Sequence, residues 1–381
     1  MNEWKTVRLG DYITEYSVKN KSNEDIPVYS VTNTQGFCTE YFSKDVSSKD
    51  KSNYKIVPRG CFAYNPSRIN VGSVDWQRYE DRVIVSPLYN VFKVSPELEN
   101  QYLYYFLKSD IGHTLITSKA EGSVRDNLKI TMLAEFSIPL PPLEEQKHIA
   151  AMLDKCTALV TKYKLMLEKY DTLIKSRFIE MFGDNPIENG KWKVEKLGNL
   201  GLCKNGMNFS YEDNGFEINC LGVGDFKDNA VISNCEKLPV ISLNEKPSEE
   251  YLLKDNDIVF VRSNGNKKLV GRSVLVHPRV LTTFSGFCIR FRLSTDSINH
   301  LFLLQFLKMP NTRKNMAGRG ANIQNLNQQI LSNLDIPVPQ IELQNDFASF
   351  VQQIDKSKFT VQKSLEKAEI LYKSLMQQYF A

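Results

Sequence analysis

The sequence predicts an α+β protein: two β-rich α/β domains separated by an antiparallel two-helix coiled coil, with a pseudo-twofold internal repeat. Three observations carry that expectation: a duplication with a period near 200 residues, a strand-rich opening to each copy, and a long heptad helix closing each copy. At 381 residues the chain has room for two core-forming domains. Its 42% hydrophobic and 24% charged residues exclude a disordered or low-complexity chain.

The duplication is read from paired motifs in the same order. Trp4-Lys5-Thr6-Val7-Arg8-Leu9-Gly10 returns as Trp192-Lys193-Val194-Glu195-Lys196-Leu197-Gly198, and Phe106-Leu107-Lys108 returns as Phe306-Leu307-Lys308. Ile138-Pro139-Leu140-Pro141 returns as Ile336-Pro337-Val338-Pro339, with Gln146 matched by Gln344 and Phe182 by Phe380. The offsets stay between 188 and 200, so one plan has been written twice.

Within each copy, β-branched and aromatic runs punctuated by Gly and Pro come first: 26–31, 83–85 and 91–94, then 257–261 and 273–276. A shorter helix is expected at 97–108 and again at 297–308. The Pro-rich segment that follows is expected to stop secondary structure before a long helix begins. The resulting division is 1–142, a domain; 143–183, the first long helix; 184–340, a second domain; and 341–381, the second long helix.

Leu153, Val160, Tyr163, Leu167 and Ile174 fall on a seam of alternating four- and three-residue steps, and Val351, Ile354, Val361, Leu365 and Tyr372 repeat it 198 residues on. Only Lys358 breaks the second pattern. A helix of about 36 residues is roughly 55 Å long and cannot bury such a seam on a small β domain alone, so the two should pair. The short 183–186 turn favours antiparallel pairing, with one domain at each end of a rod.

Seven Cys without a CxxC and four scattered His offer no metal-ligand spacing, so no metal site is expected and the thiols should stay reduced. The N-terminus lacks the pattern of a signal peptide, and the richest apolar run, 301–307, is far shorter than the roughly 20 residues that span a bilayer. These features point to a cytoplasmic protein with no membrane partner.

Charge is distributed unevenly. From 258 to 334 there is one acidic residue, Asp296, against eleven basic ones, in a chain with 44 carboxylate side chains. The stretch 51–74 has four basic residues and no acidic one. Such fields suit a polyanion. Lysines grip phosphates, whereas Arg, Asn and Gln can make paired hydrogen bonds to base edges, a mixture that suits double-stranded DNA as the partner. The candidate DNA-binding residues are Tyr64, Asn65, Ser67, Arg68, Asn70 and Ser73 in copy one. In copy two they are Arg262, Ser263, Asn264, Lys267, Lys268, Arg272, Arg319 and Asn322. Each cluster also reads as a polar turn held by its own side chains.

No catalytic residue is expected. Leu221-Gly222-Val223-Gly224-Asp225 lacks the following amphipathic helix that a phosphate-cradling loop requires, and 201–206 has P-loop glycines without the Lys and Ser/Thr. Asn65-Pro66 is followed by Ser67-Arg68, without the aromatic ring of an amino-methyltransferase motif. No nucleophile elbow or HExxH is present.

The run Ile138-Pro139-Leu140-Pro141-Pro142-Leu143-Glu144-Glu145-Gln146, leading into a heptad helix that ends at Phe182-Gly183, resembles the first central region of type I restriction-modification specificity subunits. Its echo from Ile336 to Gln344, running on to Phe380, resembles the second. Residues 4–10, 64–73 and 257–276 are similar to segments of the family's target-recognition domains.

The resemblance implies a non-catalytic chain with two target-recognition domains, each reading half of a split DNA target. It also implies paired helices that set the spacer and dock two methyltransferase subunits, with restriction motor-nuclease subunits joining. S-adenosylmethionine, ATP and Mg would belong to those partners and none to this chain. Copy two reads Pro339-Gln340-Ile341-Glu342-Leu343-Gln344 where the family has Pro-Pro-Leu-Glu-Glu-Gln, so docking need not be equal at both ends. The alternatives are a specificity chain whose partner fuses methyltransferase and nuclease, and a protein-only coiled-coil scaffold.

Overall fold

The computed structural model describes residues 4–39, 50–120, 127–210, 212–226, 231–316 and 326–380, residues 120 and 267 by their backbone alone. The chain forms two compact units, Met1–Leu165 with Gln362–Ala381, and Met166–Val361. Each unit therefore takes one β-rich domain and a length of both long helices.

In the first unit a four-stranded antiparallel sheet runs in the order Ile13–Glu15, Asn90–Val94, Phe62–Tyr64, Val74–Trp76. Two-stranded ladders, Ser30–Thr32 with Gly36–Cys38 and Lys55–Pro58 with Arg82–Val85, flank it. The second unit has a five-stranded sheet, Gly201–Asn205, Cys288–Leu293, Asp257–Val261, Ser273–Val276 and Val231–Ile232, the last strand parallel to its neighbour. A three-stranded sheet of Val240–Leu243, Phe216–Leu221 and Thr282–Phe284 shares a core with it through Leu221 and Phe284 and adds a small one around Ile218, Leu243 and Leu252. The apolar run at 26–31 yields strand only at Ser30–Thr32.

The Pro-rich segments depart from expectation. Ser137–Leu140 is a strand pairing antiparallel with Lys5–Arg8, and Asp335–Val338 pairs in the same way with Lys193–Lys196. The two repeated motifs of each copy are thus partners. Pro139 faces Thr6 and Pro337 faces Val194, and a two-stranded ladder has only edges, where a missing N–H is tolerated.

The short helices are Asn100–Lys108 and His300–Lys308, N-capped by Glu99 and Asn299 side chains that accept from Tyr102 N (2.8 Å) and Leu301 N (2.9 Å). A further helix follows each, Asp110–Ala120 and Pro310–Met316, which the sequence pattern did not indicate.

The long helices, Leu143–Phe182 and Ile341–Phe380, have 40 residues each, about 60 Å at 1.5 Å per residue. In the first unit Ile149 and Leu153 cluster with Met376 and Phe380, while Lys164 Nζ lies 3.0 Å from a carboxylate oxygen of Glu369, so the stretches run antiparallel. In the second unit Phe178 packs on Phe347 with ring centroids 5.5 Å apart and Lys358 Nζ lies 2.6 Å from Asp171 Oδ1, again antiparallel. Leu153, Ile174, Val351, Val361 and Leu365 are buried, and Val160, Tyr163, Leu167, Ile354 and Tyr372 half-buried. The seam is therefore the packing face, and the out-of-pattern Lys358 is accommodated by its ion pair.

Gln146 and Gln344 explain their place in the repeat. Each is fully buried in the first turn of its long helix. Gln146 Nε2 donates to Pro141 O (2.8 Å) and Glu97 O (3.0 Å), and its Oε1 accepts from Glu99 N (2.8 Å). Gln344 repeats every bond with Pro339 O (2.7 Å), Ser297 O (3.2 Å) and Asn299 N (2.8 Å). One amide thus fixes the start of the short helix to the start of the long one, using all three bonds to groups that burial would otherwise orphan.

Candidate nucleic-acid interface

Both units build a loop at the same point, directly after a strand buried at every residue: Phe62–Tyr64 in one and Asp257–Val261 in the other. A short 3-10 turn follows, Ile69–Val71 or Lys267–Leu269, then a glycine in the left-handed region, Gly72 at φ +88° or Gly271 at φ +77°. A distant amide ties each loop down: Leu128 N donates to Pro66 O (3.1 Å) and Leu326 N to Arg262 O (2.8 Å).

In the first unit the candidates divide. Ser67 and Arg68 are exposed, and Asn65 Oδ1 accepts from Ser67 N (3.1 Å) and Ser67 Oγ (2.9 Å), a turn held by its own side chain. Asn70 is half-buried, with its Oδ1 buried and unpartnered among the described residues. Tyr64 and Ser73 must be corrected. Tyr64 is fully buried, its hydroxyl donating to Leu128 O (3.0 Å) and accepting from Asn90 Nδ2 (2.9 Å), and Ser73 is 4% exposed. Tyr64 belongs to the core because its strand is buried at every residue, so alternation could not reveal which side chain points out, and Ser73 is buried just before the strand Val74–Trp76.

In the second unit Arg262, Ser263 and Asn264 are half-buried and Lys268 is exposed. Arg262 Nη1 donates to Gly286 O (3.3 Å), Asn264 Oδ1 accepts from Asn266 N (2.7 Å), and Asn266 Oδ1 accepts from Lys268 N (3.1 Å). Arg313 on the following helix buttresses the loop by donating to Lys268 O (2.9 Å). Arg272 is half-buried and lines a cavity against the long helices. Arg319 and Asn322 lie outside the described residues, as does the side chain of Lys267.

The basic run contributes less surface charge than its count implies. Arg292 makes a two-pronged pair with fully buried Asp257, Nε to Oδ1 and Nη2 to Oδ2 both 2.7 Å. Arg290 is 5% exposed, and burial, then the neighbouring Arg292, lowers its pKa. Burial, then Lys358, pulls Lys308 down to about 8. Position in a sequence cannot separate such inward cations from outward ones.

Two residues escaped the sequence reading. Phe287, 62% exposed, sits at the turn whose carbonyl accepts from Arg262 N (2.8 Å), and Leu88, 75% exposed, occupies the corresponding turn before Asn90–Val94. A single apolar side chain beside Ser285-Gly286 was the available signal. Such side chains serve as wedges between base steps where proteins deform DNA.

The glycine segment at 221–225 is closed on itself: Gly222 N donates to Asp225 Oδ2 (2.8 Å) and the chain makes only a 3-10 turn, Val223–Phe226. The amide a phosphate would use is already engaged. All seven cysteines are free, and burial pushes the Cys203 and Cys220 thiols up to about 11 and 12. Among the described residues no group of three His, Cys, Asp or Glu is placed to hold a metal, and no helix is long and apolar enough to cross a membrane.

Two recognition-type domains of one design, each carrying a tied loop and resting on a helix pair, are the arrangement of a DNA specificity protein. The chain belongs to the type I restriction modification DNA specificity domain family, whose model matches residues 1–169 and 189–371. It is 29% identical over 300 residues to the type I restriction enzyme StySPI specificity subunit of Salmonella potsdam, a match spanning 74% of this chain and 64% of that one. It is 23% identical over 407 residues to the MjaVIII specificity subunit of Methanocaldococcus jannaschii, covering 98% and 91%. Among solved structures, the S subunit of a type I system from M. genitalium has a TM-score of 0.62 at 16% identity, covering all of this chain and 97% of that one. A chain from a study of type I system assembly and conformational transition gives 0.56 at 18% identity, with 100% and 98% covered. The expected architecture, two α/β domains with a packed pair of long helices, is thus the fold of the family. Specificity subunits recognise rather than catalyse.

Proposed function

We propose that this chain reads a split double-stranded DNA target, one half with each unit, and directs methyltransferase and restriction motor-nuclease subunits to it in the cytoplasm. The observation that supports this most is the repetition of one tied loop with different side chains: Asn65, Ser67 and Arg68 in one unit, Arg262, Ser263 and Asn264 in the other. Equal scaffolds with unequal polar groups suit two different half-sites. The long helices serve as the spacer and as the docking face for two methyltransferase subunits. S-adenosylmethionine would be bound by the methyltransferases, and ATP and Mg by the motor-nuclease.

The test is methylome sequencing of cells that co-express this chain with its neighbouring methyltransferase, against cells with the methyltransferase alone. A split methylated motif that depends on this chain is expected, and a heptad inserted after Tyr163 and after Val361 should lengthen only its spacer. An assembled complex that writes no new motif would leave a protein-only scaffold. A partner found to carry methyltransferase and nuclease in one polypeptide would replace the separate subunits.

A further inference from the structure

Leu88 and Phe287 share more than exposure. Each is the third residue of a four-residue turn that leads from one strand into the next, Ser86-Pro87-Leu88-Tyr89 in the first unit and Ser285-Gly286-Phe287-Cys288 in the second. The same bond closes both turns, Tyr89 N to Ser86 O (3.1 Å) and Cys288 N to Ser285 O (2.8 Å). Strand register fixes where the turns sit. Asn90 lies opposite Tyr64 and Cys288 opposite Val261, so continuing each pairing brings Leu88 across from Pro66 and Phe287 across from Arg262. Pro66 and Arg262 are the loop residues whose carbonyls take the tie from Leu128 N and Leu326 N. The apolar tip of each unit thus stands at its candidate DNA-reading loop, across from a residue flanked by Asn65 and Ser67 in one and by Ser263 in the other.

A lone exposed apolar side chain is ordinary on a protein surface. These two are set apart by their support and by their recurrence. Residues 282–286 and 288–290 are buried, so Phe287, 62% exposed, projects alone from a buried run. Its N donates to Ser285 Oγ (3.3 Å), its O accepts from Arg262 N (2.8 Å), and Gly286 O accepts from Arg262 Nη1 (3.3 Å). Beside Leu88, 75% exposed, the buried Tyr89 accepts at its hydroxyl from Val31 N (3.3 Å) and at its carbonyl from Lys55 Nζ (2.6 Å). Pro87 has become Gly286 and Tyr89 has become Cys288, yet a large apolar side chain is kept at the tip. Neither loop, 65–73 or 262–272, contains a carboxylate side chain. The occupant must therefore offer apolar surface inside an anionic frame, and a base step does so, with flat base faces between two phosphate strands.

We propose that Phe287 and Leu88 are wedges, each entering between two neighbouring base pairs of the half-site that its unit reads and partly unstacking them. The inference rests on the DNA-reading function proposed above and adds a second source of specificity to it. Hydrogen bonds to base edges select individual bases, whereas a wedge selects a step by how easily it opens, and pyrimidine–purine steps (TA, CA/TG) open most easily. Each half-site should carry one such step at the place the wedge reaches.

The test uses the complex of the full chain with its neighbouring methyltransferase. Affinity is read by fluorescence anisotropy on duplexes carrying the split motif that the complex methylates and on duplexes of unrelated sequence. Phe287→Ala and Leu88→Ala should each weaken binding to the motif about tenfold, the scale of one mismatched base pair, and leave unrelated duplexes unaffected. Phe287→Leu, which installs the first unit's side chain, should retain most of the affinity. Both side chains are exposed, so stability and methyltransferase binding should be unchanged in all three variants. The decisive reading is the ratio of wild-type to variant affinity as a single mismatch is moved through the motif. A mismatch lowers the cost of unstacking only for the protein that unstacks, and every contact common to both cancels in the ratio. The ratio should rise severalfold at one step, in one half of the motif for Phe287→Ala and in the other half for Leu88→Ala. An equal loss on unrelated DNA would overturn the wedges, as would loss of the methyltransferase from the complex, which would make these side chains a protein contact. A flat ratio on a motif that is still selected overturns the wedges alone, whereas a complex that selects no split motif overturns the DNA-reading function with them.

Discussion

Lys108 and Lys308 end the same short helix in the two copies, yet one ammonium is bonded to backbone carbonyls beside a buried aspartate and the other faces a cavity. The buried carboxylates differ likewise. The first unit neutralises Asp75 with Arg78 three residues on, whereas the second neutralises Asp257 with Arg292 from the neighbouring strand. What the copies share is backbone: the paired motif strands, the tied loop, the left-handed glycine and the glutamine clasp. What they do not share is the use of charge. Duplication preserves the parts that close hydrogen bonds within the scaffold and leaves the ionic groups free to diverge.

The largest effect that would sharpen this contrast is at Asp257. Asp257→Ala removes the fully buried partner of Arg292 and should cost about 3–5 kcal/mol in chemical denaturation. Asp75→Asn keeps an acceptor for only one of Phe37 N and Trp76 N, which bond different carboxylate oxygens, but removes a charge that burial disfavours, so it should cost less, about 1–2 kcal/mol, and equal losses would contradict the asymmetry.

Next come the clasps. Gln146→Leu and Gln344→Leu each leave two carbonyls and one amide without their buried partner, for a loss of about 2–3 kcal/mol. Because the bonds match one for one, the two losses should agree to within about 0.5 kcal/mol. A clear disparity would break the claim of a common scaffold.

A smaller effect concerns pH. Burial first of all raises the Asp75 pKa above its ordinary 3.8, against the opposing Arg78, so ionised Asp75 opposes folding at neutral pH. Its contribution to the first unit is regained as pH falls through the raised value. Lys308 is displaced the other way, to about 8 from 10.5, so its contribution to the second unit increases from about pH 8 to 10.5 as the folded state sheds the proton first. Hydrogen exchange resolved by unit should show these opposite trends, each removed by Asp75→Asn or Lys308→Met.

The smallest expected change is in binding. Lys268 is exposed, so Lys268→Ala should leave stability within about 0.5 kcal/mol while weakening DNA binding for all sequences and reducing the salt slope by about one. An unchanged slope would remove Lys268 from phosphate contact.

The helices and the duplication were legible because both leave marks along the chain: heptad steps at residues 153–174 and 351–372, and motifs recurring at a fixed offset. That Trp4-Lys5-Thr6-Val7-Arg8 lies against Ser137–Leu140 was not, since antiparallel pairing across some 130 residues imposes no local pattern. The candidate loops were found as regions but not as surfaces. Tyr64 lies in a strand covered on both faces, and Arg290, Arg292 and Lys308 point inward from elements whose sequence differs little from that of a solvated face.

The division of the long helices carries a consequence for how the protein is made. The second unit is one unbroken stretch, Met166–Val361, but the first needs Gln362–Ala381 to complete its core, where Phe380 packs on Tyr102 and Tyr379 stacks on Trp4 at 6.2 Å. During synthesis the domain that emerges first must therefore wait, with the face around Tyr102, Phe106 and Leu153 uncovered, while the later one closes. The core that the earlier domain begins is thus completed only by a helical stretch that lies beyond the whole of the second unit in the chain.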